Sequence, residues 1–507
     1  MENIRVRFAP SPTGALHIGG IRTALYNYLV AKKHKGTFIL RIEDTDQTRY
    51  VPGAEEYIIE SLRWCGIVPD EGQSFGGEYG PYRQSDRKEI YAKYAEQLVQ
   101  NGYGYYAFDT AEELEKQREQ DKTFKYGAET RMKLNNSLAL SPDELQQRIN
   151  SGEPYVIRLK VPENEEVIVQ DLIRGEVVFR SDELDDKVML KADGMPTYHL
   201  ANIVDDYLMK ITHVIRGEEW LPSTGHHVLL YRFLGWADKM PQFAHLPLIL
   251  KPDGKGKLSK RDGVRLGIPV FPLSWKGETP EESFTGFREF GFLPQALLNF
   301  LAFLGWNPGT EQEIFALEEL TQAFSLEKIS KSGARFDFDK AKWFNQQYIH
   351  AADPVTLEQL VRPIIEQQGY YPEQAFLEGF CKLMQERVGL LPEFWEKGYY
   401  FFRNIKDYDT KNVQKRWKPE SREMFAELIE TLENLESSHW KEQDVHAKVE
   451  AFMTERGLKP GDVFPLLRVA LAGTMQGPAV FEMMALLGKD EVTERLRNAI
   501  TLFDTFV

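Results

Sequence analysis

The sequence predicts an α/β core built on parallel strands, followed by an all-α second part. Three observations carry that reading. Residues 5–8 alternate like a short strand, Pro10, Pro12 and Gly14 turn the chain, and Ile18, Ile21, Leu25 and Leu29 then recur at helical spacing. Gly36 is expected to close that helix, and residues 37–42 read as a second buried strand, completing a β-α-β unit. Beyond residue 335 the pattern changes: sets such as Leu357/Leu360/Val361/Ile364, Phe376/Phe380/Leu383/Met384, Met424/Phe425/Leu428/Ile429/Leu432, Val445/Val449/Phe452 and Val480/Phe481/Met484/Leu487 repeat at helical spacing, broken by Gly and Pro. Short amphipathic helices without strands make a helical bundle or cage.

At 507 residues the chain should divide into roughly three or four domains. Hydrophobic content of 42% with 27% charged residues is that of an ordinary folded chain. No apolar run is long enough to span a bilayer and no signal peptide precedes the first strand, so a cytoplasmic location is expected. Cys65 and Cys381 are the only cysteines and lie far apart, which supports neither a disulfide framework nor a Cys-rich zinc site. The net charge of −15 weighs mildly against nucleic-acid binding, yet 62 Lys and Arg residues can form a local basic surface on an otherwise acidic chain.

Between residues 37–42 and the next helix stands Glu43-Asp44-Thr45-Asp46, acids at a strand's C-terminal end, where α/β sheets place ligand-contacting groups. Asp46 reads equally well as a helix cap. Residues 54–65 and 86–100 have helical spacing, and residues 72–80 read as a loop. A charged helix over 111–121 and strand-like runs over 155–160 and 166–170 follow, with residues 171–176 as a turn. A strand over 211–216 leads to Gly217-Glu218-Glu219-Trp220, and His226 and His227 lie on the helix after it. With no Cys beside them, His199, His213, His226 and His227 read as core or surface histidines.

The densest chemistry is Arg7-Phe-Ala-Pro-Ser-Pro-Thr-Gly14-Ala-Leu-His17-Ile-Gly19-Gly20. A helix starting directly after such a turn aims backbone N–H groups and its positive dipole end at the ligand crevice, a site for phosphate. Gly14, Gly19 and Gly20 let a ligand approach the backbone, and His17 offers an imidazole N–H to a phosphoryl oxygen. A glycine-rich turn alone is equally an ordinary βα turn with a surface histidine. The complete string resembles the signature of class I aminoacyl-tRNA synthetases in the form of the glutamyl-tRNA synthetases, whose general His-Ile-Gly-His motif here ends in Gly20, as is common in that branch.

The resemblance implies an α/β Rossmann-type catalytic core in two halves, residues 1–90 and 190–237. An α+β insert over 91–189 that binds the tRNA acceptor end, a stem-contact domain over 238–335 and an all-α anticodon-binding domain over 336–507 complete it. Some members carry a zinc knuckle in the insert; the matching stretch here has Ala107 and Asp109 and no cysteine, so no structural zinc is expected. Glu43 corresponds to the ligand of the substrate's amino group, and residues 198–202 and 216–220 resemble the glutamate and ATP pocket. An acidic amino acid presents two carboxylates and an ammonium, which two arginines and one carboxylate complement. Arg7, Arg216 and Glu43 supply that set, with Ala9, Ser11, Tyr198 and Asn202 beside them.

His17, Gly19, Gly20, Glu218 and Trp220 are the implied ATP contacts, joined by Lys257 and Lys260 of Lys257-Leu-Ser-Lys260-Arg261, which resembles the family's KMSKS loop. Lysines on a mobile, glycine-flanked loop can close over a triphosphate and stabilise a leaving pyrophosphate. His17, Gly20, Lys257 and Lys260 are thus the implied catalytic set. Lys328-Ile-Ser-Lys331-Ser332 matches the motif more literally, but no strand of the α/β sheet precedes it. Residues 264–282, with three prolines, read as an irregular insertion, and helical pattern resumes over 294–304. In the helical part, Arg387 is the expected anticodon contact, and the basic aromatic segment 411–418, with Trp417, is a further tRNA candidate.

The implied function is a glutamate–tRNA ligase that uses ATP with Mg²⁺ to form glutamyl-adenylate and passes glutamate to tRNA(Glu), acting as a monomer without membrane contact. A glutaminyl-tRNA synthetase would share the core but carry β-barrel anticodon domains, against the helical pattern after residue 335. A catalytically inactive tRNA-binding relative would have no need of His17, Lys257 and Lys260.

Overall fold

The computed structural model describes residues 3–277 and 279–507; Met1, Glu2 and, within the expected insertion 264–282, Glu278 lie outside the described residues. Two compact units result: residues 1–289 with 294–341, and residues 290–293 with 342–507.

In the first unit, β1 (Arg5–Phe8), α1 (Ile18–Lys33) and β2 (Thr37–Leu40) form the expected β-α-β unit, with β1 and β2 parallel. Ile18, Ile21, Leu25 and Leu29 of α1 are fully buried, as their spacing requires. The left-handed residue after α1 is Lys35, not Gly36; a Cβ at Gly36 would overlap the Ile4 carbonyl, so glycine there serves close chain approach. After α2 (Ala54–Trp64), a short strand β3 (Glu71–Gly72), which the sequence did not lead one to expect, pairs with β2 at the start of the expected loop 72–80.

α3 (Lys88–Gln100) leads into β4 (Gly104–Ala107), α4 (Ala111–Gln120), α5 (Pro142–Asn150) and β5 (Val156–Leu159). β6 (Glu166–Asp171) and β7 (Gly175–Arg180) form a hairpin, followed by β8 (Val188–Leu190). The chain continues through α6 (Tyr198–Leu208), β9 (His213–Gly217), α7 (Thr224–Phe233) and β10 (Gln242–Leu246). β9 and β10 are parallel and the hairpin extends their sheet, giving the order β7-β6-β10-β9. Thr212 N–H donates to the Arg5 carbonyl at 2.9 Å, which joins β9 to β1 and brings the two sheets edge to edge.

Strand pairing redistributes several segments. Residues 166–180, expected within the insertion, and 242–246, expected in the stem-contact part, bond into the core sheet. Val188–Leu190, at the expected junction of the insert with the second half of the core, pairs with β5 in an antiparallel sheet of order β4-β5-β8. Where a zinc knuckle would sit, Asp109 instead accepts hydrogen bonds from Tyr126 OH at 2.7 Å and Asn135 N–H at 3.0 Å. β11 (Ile249–Leu250) pairs with β12 (Ala334–Arg335), and between them α8 (Lys260–Leu266) replaces part of the expected loop, with Ser259 at its N-cap bonded to Asp262. Leu258 is 2% exposed and anchors the segment, which is why Lys257 and Lys260 project on either side of it.

The second unit is helical throughout its described residues 342–507, apart from turns. Phe380, Phe425, Leu428, Val449 and Met484 of the anticipated faces are buried. Helix Pro354–Gln367 buries Leu357, Val361 and Ile365, so its inward face is rotated from the expected one and Leu360 is exposed. Trp417 also departs from expectation. It is 4% exposed, its Nε1–H donates to Asp504 at 2.8 Å, and Phe425 and Phe503 pack edge-on against it. An indole so enclosed cannot stack on a base, and the basic segment is held by it rather than presenting it. Trp417→Ala should therefore cost about 3–5 kcal/mol of unit stability, read as a lowered thermal midpoint, with no loss of tRNA affinity in the folded fraction.

Candidate active site

The parallel strands β1, β2, β9, β10 and β6 end at the same edge, and the polar residues expected to bind substrate lie there. Arg7, 3% exposed on β1, donates from Nε and Nη2 to both oxygens of Asp206 on α6, at 3.0 and 3.2 Å. Arg41, wholly buried just past β2, donates to Asp206 at 2.8 Å and to Glu43 Oε1 at 2.8 Å. Asn202, also on α6, donates to the same Glu43 oxygen at 3.1 Å, which leaves its Oδ1 buried without a partner. Asp205 accepts from Arg87 at 2.8 Å and from Tyr91 OH at 2.8 Å. Burial alone would raise the pKa of Asp206, but Arg7 and Arg41 outweigh it and hold the carboxyl below its ordinary 3.8. Burial likewise opposes the charge of Arg41, and Asp206, Glu43 and Asp205 reverse the effect.

Arg216 at the end of β9 is held differently. Its Nε donates to His245 Nε2 at 3.0 Å, Nη1 to Tyr198 OH at 2.8 Å, and Nη2 to Thr224 Oγ1 at 3.0 Å. His227 Nδ1 and the Trp220 carbonyl stand at 3.4 Å. All five partners are neutral, and burial lowers the guanidinium's pKa. Tyr198 and Trp220 pack with ring centroids 4.5 Å apart. A cavity of about 370 Å³ opens here, lined by Ser11, Thr13, Glu43, Lys191, Tyr198 and Trp220 among others.

The first turn of α1 is less open than its sequence suggests. Ile18 N–H donates to the Val270 carbonyl at 3.0 Å and Gly19 N–H to His17 Nδ1 at 3.1 Å, while Gly20 N–H bonds the His17 carbonyl at 2.8 Å. A Cβ at Gly20 would collide with Leu16, so Gly20 makes room for packing rather than for a ligand. Because His17 Nδ1 accepts, Nε2 carries the proton, and that atom is buried without a partner. Burial, reinforced by Lys257 and Lys260, lowers the His17 pKa to about 3, so the ring is a neutral donor at pH 7. Lys260 Nζ lies 3.4 Å from where a Gly14 Cβ would stand. Lys257 pairs with Glu219 at 2.7 Å. Glu218, the expected nucleotide contact, is occupied otherwise: it pairs with Arg174 at 2.5 Å and accepts from Leu248 N–H at 2.9 Å. Lys331 of the more literal motif bonds the Arg174 carbonyl at 3.4 Å, at the β6–β7 turn.

A description of class I tRNA synthetases for E and Q, catalytic domain, matches residues 3–343, and one of an anticodon-binding domain matches residues 356–500. A glutamate–tRNA ligase of Phocaeicola vulgatus is 53% identical over 98% of this chain and 99% of its own. The chain belongs to the glutamate–tRNA ligase family. The family's relative from Amoebophilus asiaticus is 52% identical over 98% of each chain. The crystal structure of a glutamate tRNA ligase from Elizabethkingia meningosepticum in complex with its amino acid superposes with a TM-score of 0.94 at 46% identity, covering 99% of both chains. That from Elizabethkingia anophelis gives a TM-score of 0.92 at 45% identity, covering 99% of this chain and all of the other. The family's catalytic domain uses ATP as substrate.

Arg7, Glu43, Tyr198, Asn202 and Arg216 are thus brought together, and His17, Lys257 and Lys260 gather at α1. Ala9 and Ser11 follow β1 directly, and Ser11 reaches the cavity. Arg387 lies in the second unit, on a turn over Gln385–Arg387, and donates to the Leu383 carbonyl at 2.9 Å. Sequence reasoning missed Arg41, Asp206, Asp171 and His245, and gave Glu219 no role of its own within the stretch 216–220. For Arg41 a signal exists, a lone charge inside an apolar strand, and likewise for Asp205-Asp206 on the buried face of α6.

Removing the Asp206 charge leaves two buried guanidiniums short of a counter-ion. Asp206→Asn should destabilise the first unit by about 3–5 kcal/mol. Because the native pKa of Asp206 is lowered, its contribution is whole above the ordinary 3.8 and is lost as pH falls below it. Denaturant titrations at pH 7 and pH 3 should show the variant's deficit shrinking in acid; an equal deficit at both would contradict the assignment.

Proposed function

We propose that this chain activates L-glutamate with ATP and transfers it to tRNA(Glu), with the residues at the strand ends in the following roles. Glutamate–tRNA ligation is the activity of the family to which the chain belongs. The observation that carries the assignment of the pocket is Arg216, a buried guanidinium whose partners are all neutral. A cation held so accepts a carboxylate readily and gains much less from a neutral amide, which favours glutamate over glutamine.

In this reading the side-chain carboxylate pairs with Arg216 and Tyr198, and the ammonium meets Glu43 with the free Oδ1 of Asn202 beside it. Arg7 flanks the α-carboxylate, and Ala9 and Ser11 close the near side. One α-carboxylate oxygen attacks the α-phosphorus of ATP, the bond to the bridging oxygen breaks, and pyrophosphate leaves. The Nε2–H of His17 and the ammonium groups of Lys260 and Lys257 stabilise the negative charge that develops. A terminal ribose hydroxyl of the tRNA then attacks the adenylate's carbonyl carbon, and AMP leaves with its oxygen. Gly19 and Trp220 shape the nucleotide's seat, Gly20 lets Leu16 pack beneath it, and Glu219 takes the place foreseen for Glu218. The Mg²⁺ of this scheme is carried on the triphosphate and its waters.

The insertion with its antiparallel sheet is assigned to the acceptor end, residues 238–335 to the stem and the helical part to the anticodon. Arg387 contacts unpaired bases in that assignment. A monomer working in the cytoplasm completes the proposal; no helix among the described residues is long and apolar enough to cross a membrane.

ATP–pyrophosphate exchange by the full chain tests this reading, with glutamate or glutamine, with and without total tRNA. Exchange is expected with glutamate, and Lys260→Ala should lower it roughly a hundredfold or more while Lys331→Ala leaves it unchanged. Exchange with glutamine, or loss with Lys331→Ala alone, would overturn the pocket or the loop assignment; no exchange would leave a tRNA-binding relative.

A further inference from the structure

Behind Arg216 runs a chain of buried groups that no expectation from the sequence included. His245, fully buried on β10, places Nδ1 2.6 Å from Asp171 Oδ2 and Nε2 3.0 Å from Arg216 Nε. A guanidinium has no acceptor, so Nε2 must be the bare nitrogen and Nδ1–H must donate to Asp171. Asp171 stands at the end of β6, in the hairpin that extends the core sheet; its Oδ1 accepts from Ile173 N–H at 2.9 Å and Arg174 N–H at 2.8 Å. Thr224 Oγ1, 3.3 Å from His245 Nε2, completes the acceptor set around Arg216.

We propose that Asp171 and His245 are positioning residues for glutamate selection: the carboxylate fixes the imidazole as its Nδ1–H tautomer, and the bare Nε2 orients Arg216 without neutralising it. A carboxylate bonded directly to Arg216 would orient it as well but would cancel the charge that a substrate carboxylate needs. The intervening ring keeps the Asp171 charge one side chain away and leaves the far edge of the guanidinium positive. This rests on the assignment of Arg216 to the substrate's side-chain carboxylate.

Asp171→Asn is the sharpest test, because its Oδ1 still accepts from Ile173 and Arg174 while its amide now donates toward His245 Nδ1. The ring must then accept at Nδ1 and carry its proton on Nε2, a donor set against the donor of Arg216. In tRNA-supported exchange the KM for glutamate should rise roughly ten- to a hundredfold, more than kcat falls, with the KM for ATP unchanged. His245→Leu should do the same, and His245→Gln, whose amide oxygen can accept from Arg216, should recover most of the affinity. The glutamate-to-glutamine preference should fall in the first two variants. A glutamate KM within about twofold of the parent in a folded Asp171→Asn protein, or a parallel rise in the KM for ATP, would overturn the proposal. If His245→Leu does not fold, Asp171→Asn and His245→Gln decide it. Absence of glutamate exchange by the parent chain would instead count against the functional reading.

Discussion

The two-fold pairing of Asp206 with Arg7 and Arg41 is the contact on which the site depends. One carboxylate on α6 fixes arginines from the ends of two strands, and Arg41 in turn fixes Glu43. Desolvating four charges is costly, and a hydrophobic cluster of the same volume could be more stable. What the ionic cluster supplies is direction: each partner holds the next in one geometry, so Glu43 and the free edge of Arg7 are set before substrate arrives. Arg216 stands outside this cluster, and the contrast gives the site its polarity. Two arginines are compensated by protein acids, and the third is held by neutral partners, of which Tyr198 and Trp220 line the cavity.

The nucleotide end follows another logic. The backbone N–H groups opening α1 are already bonded to Val270 and His17, so in the proposed reaction charge stabilisation falls to side chains, the Nε2–H of a neutral His17 and two lysines. The lysines belong to a segment whose buried Leu258 and capped helix hold them in place, with Glu219 pairing Lys257. The dipole of α1 still contributes its field, but not its hydrogen bonds.

Local pattern made much of this readable. The β-α-β opening and the helices beyond residue 335 follow from spacing, because one-sided burial writes a period into the sequence. The motif residues His17, Lys257 and Lys260 were readable by resemblance, as were Arg7, Glu43 and Arg216. Strand order was not, since a short strand such as Val188–Leu190 carries no mark of which neighbour it will pair with. Trp417 looked like an RNA contact because basic residues surround it, and only the packing of Phe425 and Phe503 shows it facing inward. Asp171 and His245 were silent for a related reason: their meaning lies in contacts across 74 residues of chain, and neither sits in a motif.

The central claim is that the charged cluster is set in advance and that Arg216 alone awaits the substrate's side-chain carboxylate. Crystal structures of this chain with and without glutamate test it most directly. The account predicts a carboxylate paired with Arg216 and Tyr198, with the Asp206 contacts to Arg7 and Arg41 unchanged between the two structures. A side-chain carboxylate bound elsewhere, or an Arg7 that leaves Asp206 to reach it, would contradict the account.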